Sequence, residues 1–171
     1  MNKMIRILSF LLVLFVSAGC SADTRPLANE PGDELSERFY PSGIESDKLI
    51  HDFFSEIKRL VNDRDKIKLS KLISYPIKVY TPEGDGKVDI FSENDFIEYF
   101  SIIFNERVIH TINCETFAGL GASDSGIMIG DGAVWFSEVK LKDEDPWEMK
   151  ITAINNKEKP RKLWFKNGSC E

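Results

Sequence analysis

Residues 72–91 read LISYPIKVYTPEGDGKVDIF, and within them the spacing of apolar residues changes. Up to Ile73 the apolar positions recur every three or four residues, the repeat of a helix packed on one face. From Ile77 the repeat is two: Ile77, Val79 and Thr81 alternate with Lys78 and Tyr80, the pattern of a half-buried strand. Pro76 stands at the boundary, because proline lacks the N–H a helix needs and disfavours helical backbone at the residue before it. Pro82-Glu83-Gly84-Asp85-Gly86 supplies turn-forming residues, and Lys87-Val88-Asp89-Ile90-Phe91 reads as a second strand. The stretch therefore predicts helix, strand, turn, strand.

On its N-terminal side, Asp65 opens the helix that carries Ile67, Leu69, Leu72 and Ile73. Before it, Ser46 is a helix cap and Asp47 complements the positive end of the helix dipole. Leu49, Ile50, Phe53, Phe54, Ile57, Leu60 and Val61 then form a long amphipathic helix. On the C-terminal side, Ser92 with Asp95 three residues on follows the capping-box pattern, with Asp in place of Glu. It opens a third helix with core face Phe96, Ile97, Phe100, Ile103 and Phe104, and Val108, Ile109 and Ile112 add one or two more helical turns. From Glu115 the pattern is of strands: 116–120, 127–129, 133–139 and 148–154. Gly130-Asp131-Gly132 is a tight turn between the second and third, and Leu163-Trp164-Phe165 is a short last strand.

The order helix, helix, hairpin, helix, then a run of antiparallel strands keeps helices and strands segregated and indicates an α+β fold. Three stretches carry a resemblance. They are Asp65-Lys66-Ile67 through Leu72-Ile73, Tyr75-Pro76-Ile77 and Val79; Gly126 through Phe136 (GIMIGDGAVWF); and Lys150 through Asn155 (KITAIN). Together they resemble small bacterial proteins of the nuclear-transport-factor-2-like superfamily, over about residues 45 to 156. The resemblance implies a cone-like fold, N-terminal helices packed on a curved antiparallel sheet, with a pocket between them. That superfamily holds isomerases, hydratases, cyclases and non-catalytic binders, so the fold does not choose a function.

The first residues are of another kind. Lys3 and Arg6 form a short positive region, Ile7 to Val16 is apolar apart from Ser9, and Ser17-Ala18-Gly19 are small. The apolar run is too short for a bilayer-spanning helix, which needs about 20 residues, and reads as a signal peptide. Val16-Ser17-Ala18-Gly19-Cys20 resembles the lipobox of bacterial lipoproteins, with Ser17 where that family more often has Leu. The resemblance implies cleavage before Cys20 and lipidation (palmitate among the acyl chains) of that cysteine. Ser21, where Asp tends to signal inner-membrane retention, implies an outer-membrane lipoprotein facing the periplasm. Ordinary cleavage near Ala22 is the alternative. The organisation expected is a signal peptide over 1–19, a lipidated cysteine and flexible linker over 20–45, and the α+β domain over 46–171. The linker reading rests on Pro26, Pro31, Gly32, Pro41 and Gly43, and Phe39-Tyr40 is placed to dock at its far end.

Three cysteines are an odd number for an oxidising compartment. Lipidation of Cys20 leaves Cys114 and Cys170, expected to form one disulfide. That bond closes a loop of about 57 residues and stabilises by roughly 4 kcal/mol in the chain-entropy account. The alternative is a buried thiol at Cys114 and a frayed tail at Cys170. The formal charge is −6 and becomes −8 when Lys3 and Arg6 leave with the leader. An acidic chain lacks the basic footprint of a nucleic-acid binder and gains nothing from anionic lipid, so the membrane contact expected is the lipid anchor alone. A cationic protein is the partner such a charge favours.

Candidate chemistry is sparse. The two histidines are His51, read as a solvated helix residue, and His110, near the end of the third helical region. Without a histidine pair and with two cysteines oxidised, no metal and no cofactor is expected. Gly119-Leu120-Gly121-Ala122-Ser123 lacks the lysine of a phosphate loop and reads as a strand-to-strand turn. Ser55-Glu56-Ile57-Lys58 has the Ser-x-x-Lys spacing without the companion motifs of penicillin-recognising enzymes. A possible pocket is drawn from Tyr80, Trp135 and Trp147, with Asp89 and His110 as candidate acid/base residues. A carboxylate in an apolar cavity has a raised pKa and suits proton transfer, whereas alternation with Val88 and Ile90 points Asp89 to solvent. The function expected is a membrane-tethered envelope lipoprotein acting as a non-catalytic module for a protein or a small apolar ligand. The alternatives are an acid/base enzyme of isomerase or hydratase type and an inhibitor or immunity protein against a cationic envelope enzyme.

Overall fold

Four α-helices among the described residues begin where a side-chain oxygen takes a backbone N–H that the helix leaves unpaired. Ser46 Oγ accepts from Leu49 N at 3.2 Å and opens α1, Asp47–Asn62. Asp65 Oδ1 accepts from Lys68 N at 3.0 Å and opens α2, Lys66–Lys71. Ser92 Oγ accepts from Asp95 N at 3.2 Å and opens α3, Glu93–Glu98; Asp95 Oδ2 reaches back to Phe91 N at 3.0 Å. Asn105 Oδ1 accepts from Val108 N at 3.0 Å and opens α5, Glu106–Cys114. Between them lies α4, Phe100–Ile103. The computed structural model describes residues 35–80, 87–156 and Cys170. The leader, Cys20, the first part of the linker, the Pro82–Gly86 turn and the Leu163–Phe165 strand lie outside the described residues.

Six strands make one open sheet: β1 Ile77–Tyr80, β2 Lys87–Ile90, β3 Gly121–Ser123, β4 Gly126–Ile129, β5 Val134–Val139 and β6 Glu148–Asn155, in the order β2-β1-β6-β5-β4-β3. The architecture is α+β. The sheet departs from the antiparallel expectation in one place, where β1 runs parallel to β6 with Val79 opposite Ile154. An isolated parallel bridge, Ile73 to Ile151, extends the same contact. The pairs β1–β2, β3–β4, β4–β5 and β5–β6, each adjacent in sequence, run antiparallel, but four strands and three α-helices separate β1 from β6 along the chain, so no hairpin dictates their direction.

The period of two puts one side chain in two on each face. Ile77 faces Ile90 across β1 and β2, Ile127 faces Phe136, and Val134 faces both Ile129 and Ile154. All of these are buried. The register slips between Trp135 and Phe136, a β-bulge that bends and further twists β5. Helix α1 covers this face, with the Phe53 ring 5.3 Å from that of Phe136. Phe96, Phe100 and Phe104 pack as a second aromatic cluster, with centroids 5.6–5.9 Å apart. Asn156, 1% exposed, closes the end of β6: its Oδ1 accepts from Asn105 Nδ2 (2.7 Å) and Arg107 Nη2 (3.0 Å), and its Nδ2 donates to Ile102 O (2.6 Å).

Three local expectations change. The single helix expected over 93–104 is divided at Tyr99, whose ψ of 11° leaves the helical region. Residues 116–120 are no strand: Thr116 Oγ1 takes the N–H of Gly119 at 3.2 Å and draws Phe117–Gly119 into a 3-10 turn, so Gly121–Ser123 forms the strand instead. The last part of the segment read as linker is folded. Glu37–Ser42 is a 3-10 helix, and Phe39 and Ile44 are 0% and 1% exposed while Tyr40 faces out. Ser36 fastens it by donating from N and Oγ to Asp47 Oδ1 at 2.8 and 3.1 Å.

Candidate functional site

The folding of residues 37–45 onto the domain creates the site. A cleft of about 410 Å³ opens between that segment and the β5–β6 hairpin, lined by Ser42, Gly43, Glu45, Ser137, Glu138 and Trp147. Glu138 follows Phe136 by two positions in β5, which directs its side chain to the same, helix-covered face beyond the last core residue. Gly43 takes a left-handed conformation, φ 72°, at the end of the 3-10 helix, where a side chain is strained, and this turn carries Glu45 to the cleft. Trp147, just before β6, is 63% exposed.

The electrostatics follow from the packing. Burial raises the Glu138 carboxyl above its usual range, and Glu45 raises it further, because two like charges facing one space disfavour ionisation. The lining is polar apart from the indole of Trp147. Lys140 Nζ lies 5.8 Å from that ring and donates to Asp143 O at 2.8 Å, so a cation already approaches one side of the indole. The arrangement suits a positively charged group: two carboxylates whose repulsion it relieves, two serine hydroxyls and an aromatic face. Among the described residues no group of three or more His, Cys, Asp or Glu side chains is placed to hold a metal ion.

The residues singled out in the sequence are dispersed. Asp89 is exposed on the edge strand β2, opposite Lys78 in register, while Ile90 is buried. His110 is half-buried on α5, its Nε2 3.4 Å from Cys114 Sγ. Neither of them lines the cleft between residues 37–45 and the β5–β6 hairpin. Tyr80 ends β1 with Lys87 Nζ 4.9 Å from its ring, and Trp135 is half-buried in β5. Of the three expected pocket residues only Trp147 lines the cleft. His51 makes an edge contact with the Phe117 ring, centroids 5.2 Å apart. Cys114 and Cys170 are bonded, with Cα atoms 5.1 Å apart.

Glu45 and Glu138 went unmarked by the sequence reading. A signal for Glu138 exists: it is a carboxylate in phase with Val134 and Phe136, where alternation calls for an apolar residue. For Glu45 there is none, because its place depends on how residues 37–45 fold back. With the geometry in view, the class of protein is an α+β domain with an open six-stranded mixed sheet and an acidic, tryptophan-walled cleft. Comparison with protein-family models, curated proteins and solved structures finds no match.

Proposed function

We propose that this chain is a lipoprotein of the bacterial envelope, anchored through Cys20, whose folded domain is a non-catalytic module that docks a basic side chain of a protein partner. The observation that carries the docking reading is the open cleft in which Glu45 and Glu138 share one space beside exposed Trp147. An ammonium or guanidinium placed there pairs with both carboxylates and stacks on the indole. The polar lining speaks against the small apolar ligand. Among the described residues no helix is long and apolar enough to cross a membrane. Attachment in this reading comes from the lipidated Cys20 left by cleavage of the leader, with the chain facing the periplasm from the outer membrane. The nuclear-transport-factor-2-like, cone-like reading of the fold belongs to the same proposal. Helices on one face of the sheet and the bulge in β5 support it.

A second reading rests on Glu138 itself. A carboxyl raised by burial and by a neighbouring acid is also what a general acid requires. One experiment separates the two. Arginine-rich, lysine-rich and glutamate-rich peptides are titrated onto the protein while tryptophan fluorescence is followed. Docking predicts binding of the basic peptides only, weakened by salt and lost in Trp147→Ala and in Glu45→Gln/Glu138→Gln. Equal binding of acidic and basic peptides, or full binding by the double variant, removes the docking reading.

A further inference from the structure

The Cys114–Cys170 bond has two unlike ends. Cys170 is exposed. Cys114 is half-buried at the last position of α5, with His110 Nε2 3.4 Å from its sulfur, one helical turn back on the same face. Lys58 reaches across from α1 and donates to the two carbonyls that flank Cys114, Asn113 O at 3.0 Å and Glu115 O at 2.7 Å. A thiolate at Cys114 meets the negative end of the α5 dipole, a cost that the Lys58 ammonium on the neighbouring carbonyls offsets only in part. A proton donor at the sulfur removes that cost, and the imidazole is the group in position to supply it.

We propose that this disulfide is a thiol–disulfide exchange site, in which an external thiolate attacks Cys170 Sγ, Cys114 is the leaving sulfur and His110 protonates it. The reagent class is a dithiol. Its first thiolate forms a bond to Cys170 Sγ while the Cys114–Cys170 bond breaks, and the bonding pair passes to Cys114 Sγ, which takes the proton from His110 Nε2. The second thiolate of the dithiol then attacks the sulfur bonded to Cys170 and releases Cys170 as a thiolate. The protein disulfide is reduced to two cysteines, the dithiol is oxidised to its own disulfide, and solvent returns the proton to His110. Attack falls on Cys170 because a nucleophile must approach in line with the S–S bond at an accessible sulfur. The outcome is the release of Cys170 from α5. The site is separate from the acidic cleft and does not depend on its ligand.

The direction of attack and the role of His110 are both measurable. The full oxidised chain is exposed briefly to reduced glutathione, quenched with iodoacetamide and digested, and the adducts are located by mass spectrometry. Glutathione is expected on Cys170 and the alkyl group on Cys114, with the reverse pattern at about a tenth or less. His110→Gln is expected to slow opening about tenfold, the loss of a modest proton-transfer contribution, in the native protein but not in denaturant, where both chains open at one rate. Glutathione mainly on Cys114, no adduct at millimolar glutathione, or native His110→Gln opening as fast as the parent overturns the proposal. So does a slowing that persists in denaturant. If His110→Gln does not fold, the position of the adduct on the parent chain decides alone.

Discussion

Glu115 Oε2 accepts the backbone N–H of Gly130 at 2.9 Å, which joins the end of α5 to the turn between β4 and β5. Its other oxygen accepts from Thr116 N at 3.0 Å, and the residue is 5% exposed. A buried carboxylate is tolerated here because backbone donors meet both oxygens. Gly130, itself buried with φ 63°, has its N–H directed inward and depends on that acceptor.

Glu115→Ala should therefore destabilise the domain by about 2–3 kcal/mol, the cost of leaving a buried donor without its partner. Glu115→Gln, which keeps one amide oxygen, should cost roughly half as much. Urea unfolding followed by circular dichroism measures both, and an unchanged midpoint for Glu115→Ala would show the contact to be inert.

Glu138 predicts a pH dependence with a definite sign. Its pKa in the folded chain lies above the ordinary value of 4.5, through burial first and Glu45 second. The unfolded chain then holds fewer protons on this group than the folded chain, so the stability it contributes is present below about pH 4.5 and is lost as pH rises through the folded value. Glu138→Gln, which cannot ionise, should match the parent at pH 4 and become relatively more stable above it. Thermal unfolding of both proteins from pH 4 to 7 tests this, and a difference that shrinks with rising pH contradicts it.

Asp89 makes the opposite prediction. It is exposed on an edge strand with Lys78 opposite, so Asp89→Asn should change stability by no more than about 0.5 kcal/mol and leave peptide binding at the cleft intact. Asp89→Lys, which sets two like charges across β1 and β2, should cost measurably more. Denaturant midpoints of the two variants order them. A large loss of binding in Asp89→Asn would return this residue to the functional site.

In the proposed anchoring, Cys20 carries the address. Detergent-phase separation of the protein from bacterial cells should place the parent chain in the detergent phase and Cys20→Ser in the aqueous phase, because acyl chains contribute about 0.8 kcal/mol per buried CH₂. A parent chain found wholly in the aqueous phase removes the anchor from the proposal.

Much of the fold was legible because it rests on local rules. Ser46, Asp65 and Ser92 mark helix starts wherever they precede an amphipathic run, since the N–H groups they satisfy are two or three residues away. The change of period at Ile77 marks the first strand for the same reason: alternation is a property of neighbouring residues. Setting Cys20 aside as the cysteine expected to be lipidated left Cys114 and Cys170 to pair, and these two are bonded. The 3-10 turn at Phe117–Gly119 was missed because a single side-chain bond from Thr116 overrode a strand-like composition.

The sequence by itself determined the order and type of most elements, the acidic charge and the disulfide, all of which depend on contacts a few residues apart or on counting. Only the tertiary structure decided that β1 runs parallel to β6, that Phe39 and Ile44 belong to the core, and that Glu45 and Glu138 share one cleft with Trp147. Each of these joins residues tens of positions apart, where no periodicity carries information. The chain reaches such pairings by burying whichever apolar faces fit together. The polar groups at their margins, Glu45 and Glu138 among them, are brought together as a consequence.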